Sequence, residues 1–353
     1  MRTPSRSHGP ASYRRPGEPA KAASPRPALP ARRRGAALLL ILGILAVLGW
    51  LGAAIARETL RQQAETAAFA RGQRLRERAW SAAECVLAGL RERRLMRGGL
   101  YTVPADGDTL LRASGFDSGG GMPVRVRIAD VSAAYGLGKI ETDTLRELFV
   151  SLGVPPDTAP ALADTFLDRF RRAPAKRLLG MKREDYADAG LPPPPERLPA
   201  TEAELLAVPG LPKWFTDEHG RPDNRFADLI ACLALTGDTT APNLNTAPPA
   251  MLRHLHRTGM IPDAEAFRRW RDGPDGRPGT GDDRYARQTA DLAAAGVGLP
   301  AEGAAYTVRR VRLDVTVTFA ESSFLLTLEA DPEQSVPNFP WKIVRQIENA
   351  PVL

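Results

Sequence analysis

The chain has 353 residues, of which 43 % are hydrophobic and 25 % charged, a composition typical of a globular protein of two or three domains. Nine of its 48 Lys and Arg residues, but only one of its 41 Asp and Glu residues, lie in residues 1–35. The rest of the chain therefore has 39 basic and 40 acidic side chains, a net charge of −1. This balance excludes the broad positive surface that non-specific nucleic-acid binding needs.

The N-terminal sequence predicts a leader followed by a membrane span. Residues 1–35 are rich in Arg, Pro, Ser and Ala and lack apolar periodicity, which predicts a disordered segment. The uncharged run of 21 residues at 36–56 would form a helix about 31 Å long, roughly the thickness of a bilayer's hydrocarbon core. The arginines at 32–34 favour a cytoplasmic N-terminus. We therefore expect a single-pass protein of the bacterial inner membrane whose body lies in the periplasm.

An amphipathic helix is predicted to continue beyond the membrane over residues 57–97. Gly98 and Gly99 are predicted to end it. Because the apolar residues form one stripe, we expect this face to pack on a β-sheet. The stripe recurs mostly every three or four residues and consists of Leu60, Ala64, Ala67, Ala68, Leu75, Ala79, Ala82, Val86 and Leu90.

Alternating apolar residues predict strands in two separate parts of the chain. The first part, residues 98–130, contains Val124, Val126 and Ile128. The second part, residues 301–353, contains an alternating run at 311–319, a turn and the sequence FLLTLEA, and a last strand near Trp341. Residues 131–300, between these parts, have helical signals. This order predicts an α+β fold with a large helical domain inserted between strands.

The predicted helical domain contains two related units, residues 138–170 and 242–272. Each has a polar cap, Thr142 or Thr246, before a short amphipathic helix. A turn with Gly, Pro and Asp and a second helix rich in Ala, Phe and Arg then follow. Both segments are therefore predicted to fold as compact helix-turn-helix units.

The junction between the basic leader and the apolar run resembles a known processing signal. A basic segment that ends in Gly35, directly before Ala36 and a leucine run, resembles the class III signal of type IV pilins and type II secretion pseudopilins. The resemblance implies that a prepilin peptidase cuts after Gly35 and methylates the new amine of Ala36. The fifth mature residue is Leu40, where most pilins have Glu, and loss of that Glu suits a subunit at the tip of a fibre. The alternative is a plain membrane anchor, in which Leu40 is one more leucine.

The sequence NLNTAPPAML, residues 243–252, resembles the minor pseudopilin K family (general secretion pathway protein K) of type II secretion over roughly residues 32–345. The first repeat departs from the family pattern at KIETDT, residues 139–144. The resemblance implies a pilin-like long N-terminal helix on a small antiparallel sheet, with a large all-α domain inserted between strands. It also implies a non-enzymatic tip subunit that assembles with other minor pseudopilins as a hetero-oligomer.

The NLNT motif is predicted to be mainly structural. Asn243 and Asn245 are expected to close local turns by bonding to the backbone, and Thr246 to cap the helix that begins with Pro248 and Pro249. Contact with a partner is the alternative role.

The sequence RDGPDGRPGTGDDRYA, residues 271–286, is the best metal candidate. Asp272, Asp275, Asp282 and Asp283 offer hard oxygen ligands, and the glycines allow the loop to curl around an ion. Since pseudopilins often stabilise loops with calcium, the resemblance favours a calcium site. A solvated acidic turn is the alternative.

The sequence offers no support for enzymatic activity. It contains no nucleophile–base motif, phosphate-binding glycine loop or zinc-type spacing of His and Cys. Cys85 and Cys232 could be bridged in an oxidising periplasm, although their Ala- and Leu-rich surroundings favour buried free thiols. A competing function is a membrane-anchored DNA receptor built from helix-hairpin-helix units, with Lys213 beside the VPG turn.

Overall fold

The structure, a computed structural model, describes residues 32–104, 106–117, 121–172, 176–278, 280, 282–298, 300–301, 304–332 and 341–349. The side chains of residues 32–36 and 349 lie outside this description, as does the predicted leader before Arg32. By compactness the chain divides into two units, residues 1–67 and 68–353. Each unit is described by itself.

The first unit contains the N-terminal half of a long helix, α1 (Arg32–Arg97). Its large apolar side chains from Leu38 to Ile55 are all exposed. This helix is the one helix in the described chain that is long and apolar enough to cross a membrane. An uncharged helix with apolar side chains on every side is stable in lipid but has no partner in water.

In the second unit, α1 buries one face against a sheet, as its apolar stripe predicts. Leu75, Ala79, Ala82, Val86 and Leu90 are all buried. The helix ends at Arg97, and the positive φ of the following Gly98 matches the predicted stop. The early members of the stripe differ from the prediction: Leu60, Ala64 and Ala67 are exposed, because the buried core on α1 begins only at Leu75.

The sheet of the second unit has four antiparallel strands in the order β1-β4-β5-β6. Val126 is opposite Val315, which is opposite Leu326, so apolar residues of three strands line up on the face that contacts α1. The strands of the chain are β1 (Val124–Asp130), β2 (Tyr135–Gly136), β3 (Leu233–Ala234), β4 (Val311–Phe319), β5 (Ser322–Pro332) and β6 (Trp341–Asn349).

A helical body, residues 135–306, is inserted between β1 and β4. The body is not entirely helical, which corrects the expectation of an all-α domain: β2 and β3 form a two-stranded parallel pair. The helices after α1 are α2 (Asp108–Ala113), which precedes the sheet, and then α3 (Thr142–Ser151), α4 (Ala159–Phe170), α5 (Arg183–Asp188), α6 (Pro212–Phe215), α7 (Asn224–Cys232), α8 (Pro249–Arg257), α9 (Ala264–Arg271) and α10 (Thr289–Ala294). Two short 3-10 helices lie at Val131–Ala133 and Glu202–Ala207.

The two segments with related sequences both form helical hairpins. The first pairs α3 with α4, and the second pairs α8 with α9. Each turn contains a glycine at positive φ, Gly153 at 92° and Gly259 at 75°, where a residue with a side chain would be strained. Thr142 is the first residue of α3 and does not cap it, since the residue before the helix is Glu141.

The second unit has two separate hydrophobic cores. One is formed by α1, α2 and the sheet, with members from residues 75–128 and 308–341. The other lies in the helical body, with members from Tyr135 to Tyr306. A long helix on an antiparallel sheet, with a mostly helical insertion between strands, confirms the predicted α+β fold.

The sheet face opposite α1 is polar and contacts the helical body through charged groups. The Glu329 carboxylate accepts hydrogen bonds from the Thr236 hydroxyl and the Arg345 guanidinium, the latter at 3.1 Å. Arg345 also donates to the backbone carbonyl of Ala200, and Arg312 pairs with Glu202 at 3.4 Å. These contacts form a brace between the sheet and the helical body that is distinct from the covalent connections.

Candidate functional site at the junction of the sheet and the helical body

The predicted processing segment lies in the first turns of α1. The helix begins at Arg32, so Gly35 lies inside it, whereas the sequence suggested that the helix starts after the glycine. Glycine is tolerated there at a cost of about 1 kcal/mol relative to Ala. Leu40 is exposed on the same helix. Cleavage between Gly35 and Ala36 stays a prediction.

The first Asn of the NLNT motif lies where the helical body joins the sheet. The Asn243 side chain is buried, and its Oδ1 accepts the N–H of Asn245 at 3.2 Å, the local turn that the sequence predicts. Its Nδ2 donates to Asp130 Oδ2 at 2.8 Å and to the Tyr101 carbonyl at 3.2 Å. Its backbone N–H donates to the Ser132 carbonyl at 2.8 Å. Asn243 therefore also connects the helical body to the end of β1.

The second Asn of the motif does not close its own turn, which corrects the prediction. Asn245 Nδ2 donates to the backbone carbonyls of Ala286 and Tyr306, at 2.8 and 2.7 Å. Its Oδ1 accepts the Ala286 N–H at 2.8 Å. The buried amide is therefore a three-bond connection between chain segments that lie 41 and 61 residues away.

Thr246 does not cap α8, a second correction. Pro248 occupies the cap position, and the Thr246 hydroxyl donates to Asp130 Oδ2 at 2.5 Å. The prolines at 248 and 249 explain the difference, because they lack backbone N–H groups and so remove donors that a cap would otherwise satisfy.

Asp130, the last residue of β1, is the centre of this junction and was missed at the sequence level. Its carboxylate accepts hydrogen bonds from Asn243, Thr246 and the Ser132 backbone N–H, the last at 2.8 Å, and from the Ser132 hydroxyl. Burial raises the pKa of Asp130, and these hydrogen bonds oppose that shift. The Ser132 hydroxyl also accepts the N–H of Arg309, where the chain returns to the sheet, at 2.9 Å. The only sequence signal was one carboxylate at the end of an alternating strand.

We call residues 271–286 the aspartate loop. Its first carboxylate, that of Asp272, forms a structural contact. It is buried and forms an ion pair with Arg271 at 2.8 Å. Arg271 is also buried and donates to the Ala247 carbonyl at 2.6 Å. The Asp272 carboxylate is therefore already paired at the end of α9, and calcium binding by this residue stays a prediction.

The other three carboxylates of the loop are partly occupied by hydrogen bonds within it. Asp275 accepts the N–H of Arg277 at 2.8 Å, and Asp282 accepts the Thr280 hydroxyl at 2.6 Å. The Thr280 hydroxyl is also 3.4 Å from Asp283. Among the described residues, no group of three or more His, Cys, Asp or Glu side chains is arranged to hold a metal ion. Calcium binding stays a prediction.

The two cysteines are free thiols that lie in different cores. Cys85 packs against the core of α1 and the sheet, and Cys232 belongs to the core of the helical body. Burial raises the pKa of the Cys232 thiol to about 12. A disulfide between them is therefore not formed.

A cavity of about 360 Å³ adjoins the junction and is lined by Asp130, Thr246 and Arg271 among others. Asp130 and Thr246 are hydrogen-bonded to each other, and Arg271 is paired with Asp272 and the Ala247 carbonyl. These contacts fix the geometry of the chain segments that they join. The hydrogen bonds of the junction hold the helical body in a fixed position on the end of β1.

Comparisons with known proteins connect the fold to one solved assembly. No protein-family model matches the chain, and no curated protein matches it. The fold is similar to that of a chain in the crystal structure of the GspK–GspI–GspJ complex from the type 2 secretion system of enterotoxigenic Escherichia coli. The match covers 79 % of this chain and 99 % of that chain, with a TM-score of 0.50 and 14 % sequence identity. At this identity the comparison establishes a shared fold.

Proposed function

We propose that this protein is a minor pseudopilin of the K type, which forms the tip of a type II secretion pseudopilus and supports protein export. One observation carries the proposal: the long helix, the antiparallel sheet and the helical insertion between β1 and β4 form a fold similar to that of a chain of the GspK–GspI–GspJ complex. The role is structural, and no catalytic activity is proposed.

The proposed mechanism is assembly in the inner membrane. Cleavage after Gly35 frees the apolar helix, whose exposed side chains then pack against the helices of other minor pseudopilins. Leu40 brings no carboxylate into the bilayer and so needs no amine from a subunit ahead of it. The helical body adds bulk that would clash with a subunit stacked above it. The partners are other minor pseudopilins in a hetero-oligomer and, during maturation, the prepilin peptidase.

Mass spectrometry of the mature N-terminus tests the proposal most directly. The full chain is purified from membranes that contain a prepilin peptidase, and we expect it to start at Ala36 with an N-methyl group. Gly35→Val should leave the precursor uncut, because the peptidase must accommodate the residue before the cut. Gly43→Val is the matched control, since a side chain at Gly43 meets no atom within 4 Å. A wild-type chain that starts at Met1 would contradict the proposal.

Calcium binding by the aspartate loop is proposed with Asp275, Asp282 and Asp283 as ligands. Under this proposal, a chelator lowers the melting temperature of the chain and added calcium restores it, because a ligand that binds only the folded state stabilises it. Asp282→Asn should abolish the calcium effect. Asp217→Asn, in an exposed turn elsewhere, is the control and should keep the effect. If neither the chelator nor calcium changes the melting temperature, the loop is an ordinary turn that does not bind calcium.

A further inference from the structure

Two adjacent leucines project from the helical body between α4 and α5. Leu178 is 91 % exposed and Leu179 is 50 % exposed. They form the tip of a tight turn, Arg177–Gly180, which is closed by a hydrogen bond from the Gly180 N–H to the Arg177 carbonyl at 3.1 Å. We call these four residues the Leu178 turn. Single exposed leucines are common on protein surfaces, but a pair at the tip of a turn is the kind of feature that anchors an interface.

Two buried carboxylates of α4 hold the turn in place. Asp168 accepts the backbone N–H of Arg177 at 3.0 Å, and Asp164 accepts the backbone N–H of Leu179 at 3.0 Å. Asp168 also pairs with the Arg177 guanidinium at 2.6 Å. A side chain at Gly180 would overlap with Asp168 Oδ2, so the backbone lies directly on this carboxylate. The leucines are therefore presented in a fixed orientation, which lowers the entropy cost of binding.

The surroundings of the turn are positively charged. Residues 164–185 contain seven Arg or Lys and four Asp or Glu side chains, whereas the chain from residue 36 onward has a net charge of −1. Asp164 and Asp168 are buried beneath the turn, and Asp185 pairs with Lys176 at 2.8 Å. Arg172 and Arg183 are exposed. Glu184 is exposed as well, so Arg172, Arg183 and Glu184 together give the exposed surface of this segment a net charge of +1, apart from the Lys176–Asp185 pair.

The same region also lacks acceptors for its buried donors. Within the described chain, Arg169 Nε and Lys182 Nζ are buried and make no hydrogen bond. Lys182 Nζ is 3.6 Å from Asp168 Oδ1, a carboxylate that already accepts two shorter hydrogen bonds from Arg177. Buried donors without acceptors are rare in folded proteins and cost stability. An additional negative group near the turn would offset this shortage by Coulomb attraction.

We propose that the Leu178 turn is a docking surface for a partner protein that presents apolar side chains flanked by carboxylates. Leu178 and Leu179 supply the apolar anchor, and Arg172 and Arg183 select an acidic rim by charge complementarity. The inference goes beyond fibre assembly, because it concerns the helical body and does not depend on processing at Gly35.

Three synthetic peptides of equal length test the chemistry of the partner. One alternates Glu and Leu, one alternates Lys and Leu, and one alternates Glu and Ser. The full chain, held in nanodiscs of neutral lipid, is titrated against each labelled peptide by fluorescence anisotropy. We expect the Glu–Leu peptide to bind at least about tenfold more tightly than either of the others, with weaker binding at high salt.

Two paired variants locate the binding to the turn. Leu178→Ser with Leu179→Ser should weaken Glu–Leu binding about tenfold, whereas Leu95→Ser, at a 71 % exposed position on α1, should not. Arg172→Glu with Arg183→Glu should weaken it similarly, whereas Arg125→Glu on the exposed side of β1 should not. All four side chains of the test pairs are exposed, so the melting temperature should stay unchanged.

Three outcomes would overturn the proposal. Equal binding of the Glu–Leu and Glu–Ser peptides would show that apolar contacts do not contribute to binding. Equal binding of the Glu–Leu and Lys–Leu peptides would show that the turn does not select acidic partners. Binding to phosphatidylglycerol vesicles that is lost in the double leucine variant, without peptide binding, would assign the turn to a membrane surface. Each result is independent of the N-terminus found by mass spectrometry, so this inference and the proposed function can fail separately.

Discussion

At the scale of single residues, the junction depends on side chains that bond over long distances in sequence. Asp130 binds groups at positions 132, 243 and 246, and Asn245 binds groups at 286 and 306. A buried polar group that is fully paired costs little, but removal of one partner leaves the others without hydrogen bonds in a dry environment. We therefore expect the stability of the junction to be concentrated in a few polar side chains.

Asn245→Ala should lower the free energy of unfolding by about 2–4 kcal/mol, because it leaves two buried carbonyls and one N–H unpaired. Asn224→Ala is the matched control, since Asn224 is exposed in the first turn of α7, and it should cost less than about 0.5 kcal/mol. Denaturant unfolding followed by circular dichroism measures both. Equal effects of the two substitutions would mean that the Asn245 amide is dispensable.

His254 predicts a pH dependence of stability. It is buried in the core of the helical body, with Ser151 Oγ 3.0 Å from Nδ1 and the Tyr135 hydroxyl 3.4 Å from Nε2. Burial lowers its pKa from 6.5 to about 4, so between these values the unfolded chain binds a proton that the folded chain does not. Stability contributed by neutral His254 is therefore fully present above pH 6.5 and is lost as the pH falls towards 4, by up to about 3 kcal/mol.

The variant His254→Gln isolates this contribution. The wild-type melting temperature should fall more steeply between pH 7 and pH 5 than that of the variant, whatever the variant's stability at pH 7. His256→Gln, which changes an exposed histidine of the same helix, is the control and should keep the wild-type slope. Parallel slopes for wild type and His254→Gln would show that the buried imidazole does not titrate in this way.

At the scale of secondary-structure elements, α1 packs closely on the sheet because its contact face is built from small residues. Ala79, Ala82 and Ala83 are all fully buried. Small side chains at these positions allow the helix axis to approach the strands, whose Val and Leu side chains fill the remaining space. The helix–sheet contact therefore has little room for additional volume.

Ala82→Leu should destabilise the chain by about 1–3 kcal/mol through overpacking. Ala88→Leu makes the same chemical change on the exposed side of α1 and should cost less than about 0.5 kcal/mol, since Leu and Ala both favour helices. Chemical denaturation of the full chain in detergent measures the difference. A buried Ala82→Leu variant as stable as the exposed variant would contradict the close contact between helix and sheet.

Elements with a strong period were predictable from the sequence, and elements defined by distant contacts were not. The stop of α1 after Arg97 and the strands around Val126 and Val315 follow from apolar spacing and glycine positions. The two-residue strands β2 and β3 are too short to show a period, so they were missed. Thr246 fits a helix cap by its position, but a carboxylate 116 residues earlier competes for its hydroxyl. Such competition is visible only in the folded chain.

At the scale of the whole molecule, each core of the second unit is built from its own part of the sequence. No member of the core of α1 and the sheet comes from residues 131–300 of the described chain. Asp130 and Val311 are paired neighbours on β1 and β4, so the two ends of the insertion lie side by side. The four strands can therefore pair with one another without the helical body.

Replacement of residues 132–309 by a short Gly–Ser turn should leave a folded helix-and-sheet protein. The polar face opposite α1, with Asp314, Thr327 and Glu329, should tolerate water once the helical body is removed. We expect a cooperative unfolding transition and, under the proposed function, retained binding to minor pseudopilins with loss of export. A deletion variant without a cooperative transition would show that the sheet needs the helical body.

The charge distribution of the whole molecule also argues against the DNA-receptor alternative. The described helices mix Asp and Glu with Arg, and Lys213 beside the VPG turn lies 5.1 Å from the ring of Trp214. A chain with a net charge of −1 after its leader gains little from counterion release.

The brace on the polar face of the sheet has a mechanical consequence. If the helical body were joined to the sheet only through β1 and β4, it could rotate about that connection. Glu329 and Arg345 also hold the body, through Thr236 and Ala200, and they lie one and two strands across the sheet from the strand end at Val311. Contacts spread over β1, β4, β5 and β6 oppose rotation of the body in the plane of the sheet, so we expect a force on the helical body to be transmitted to the sheet.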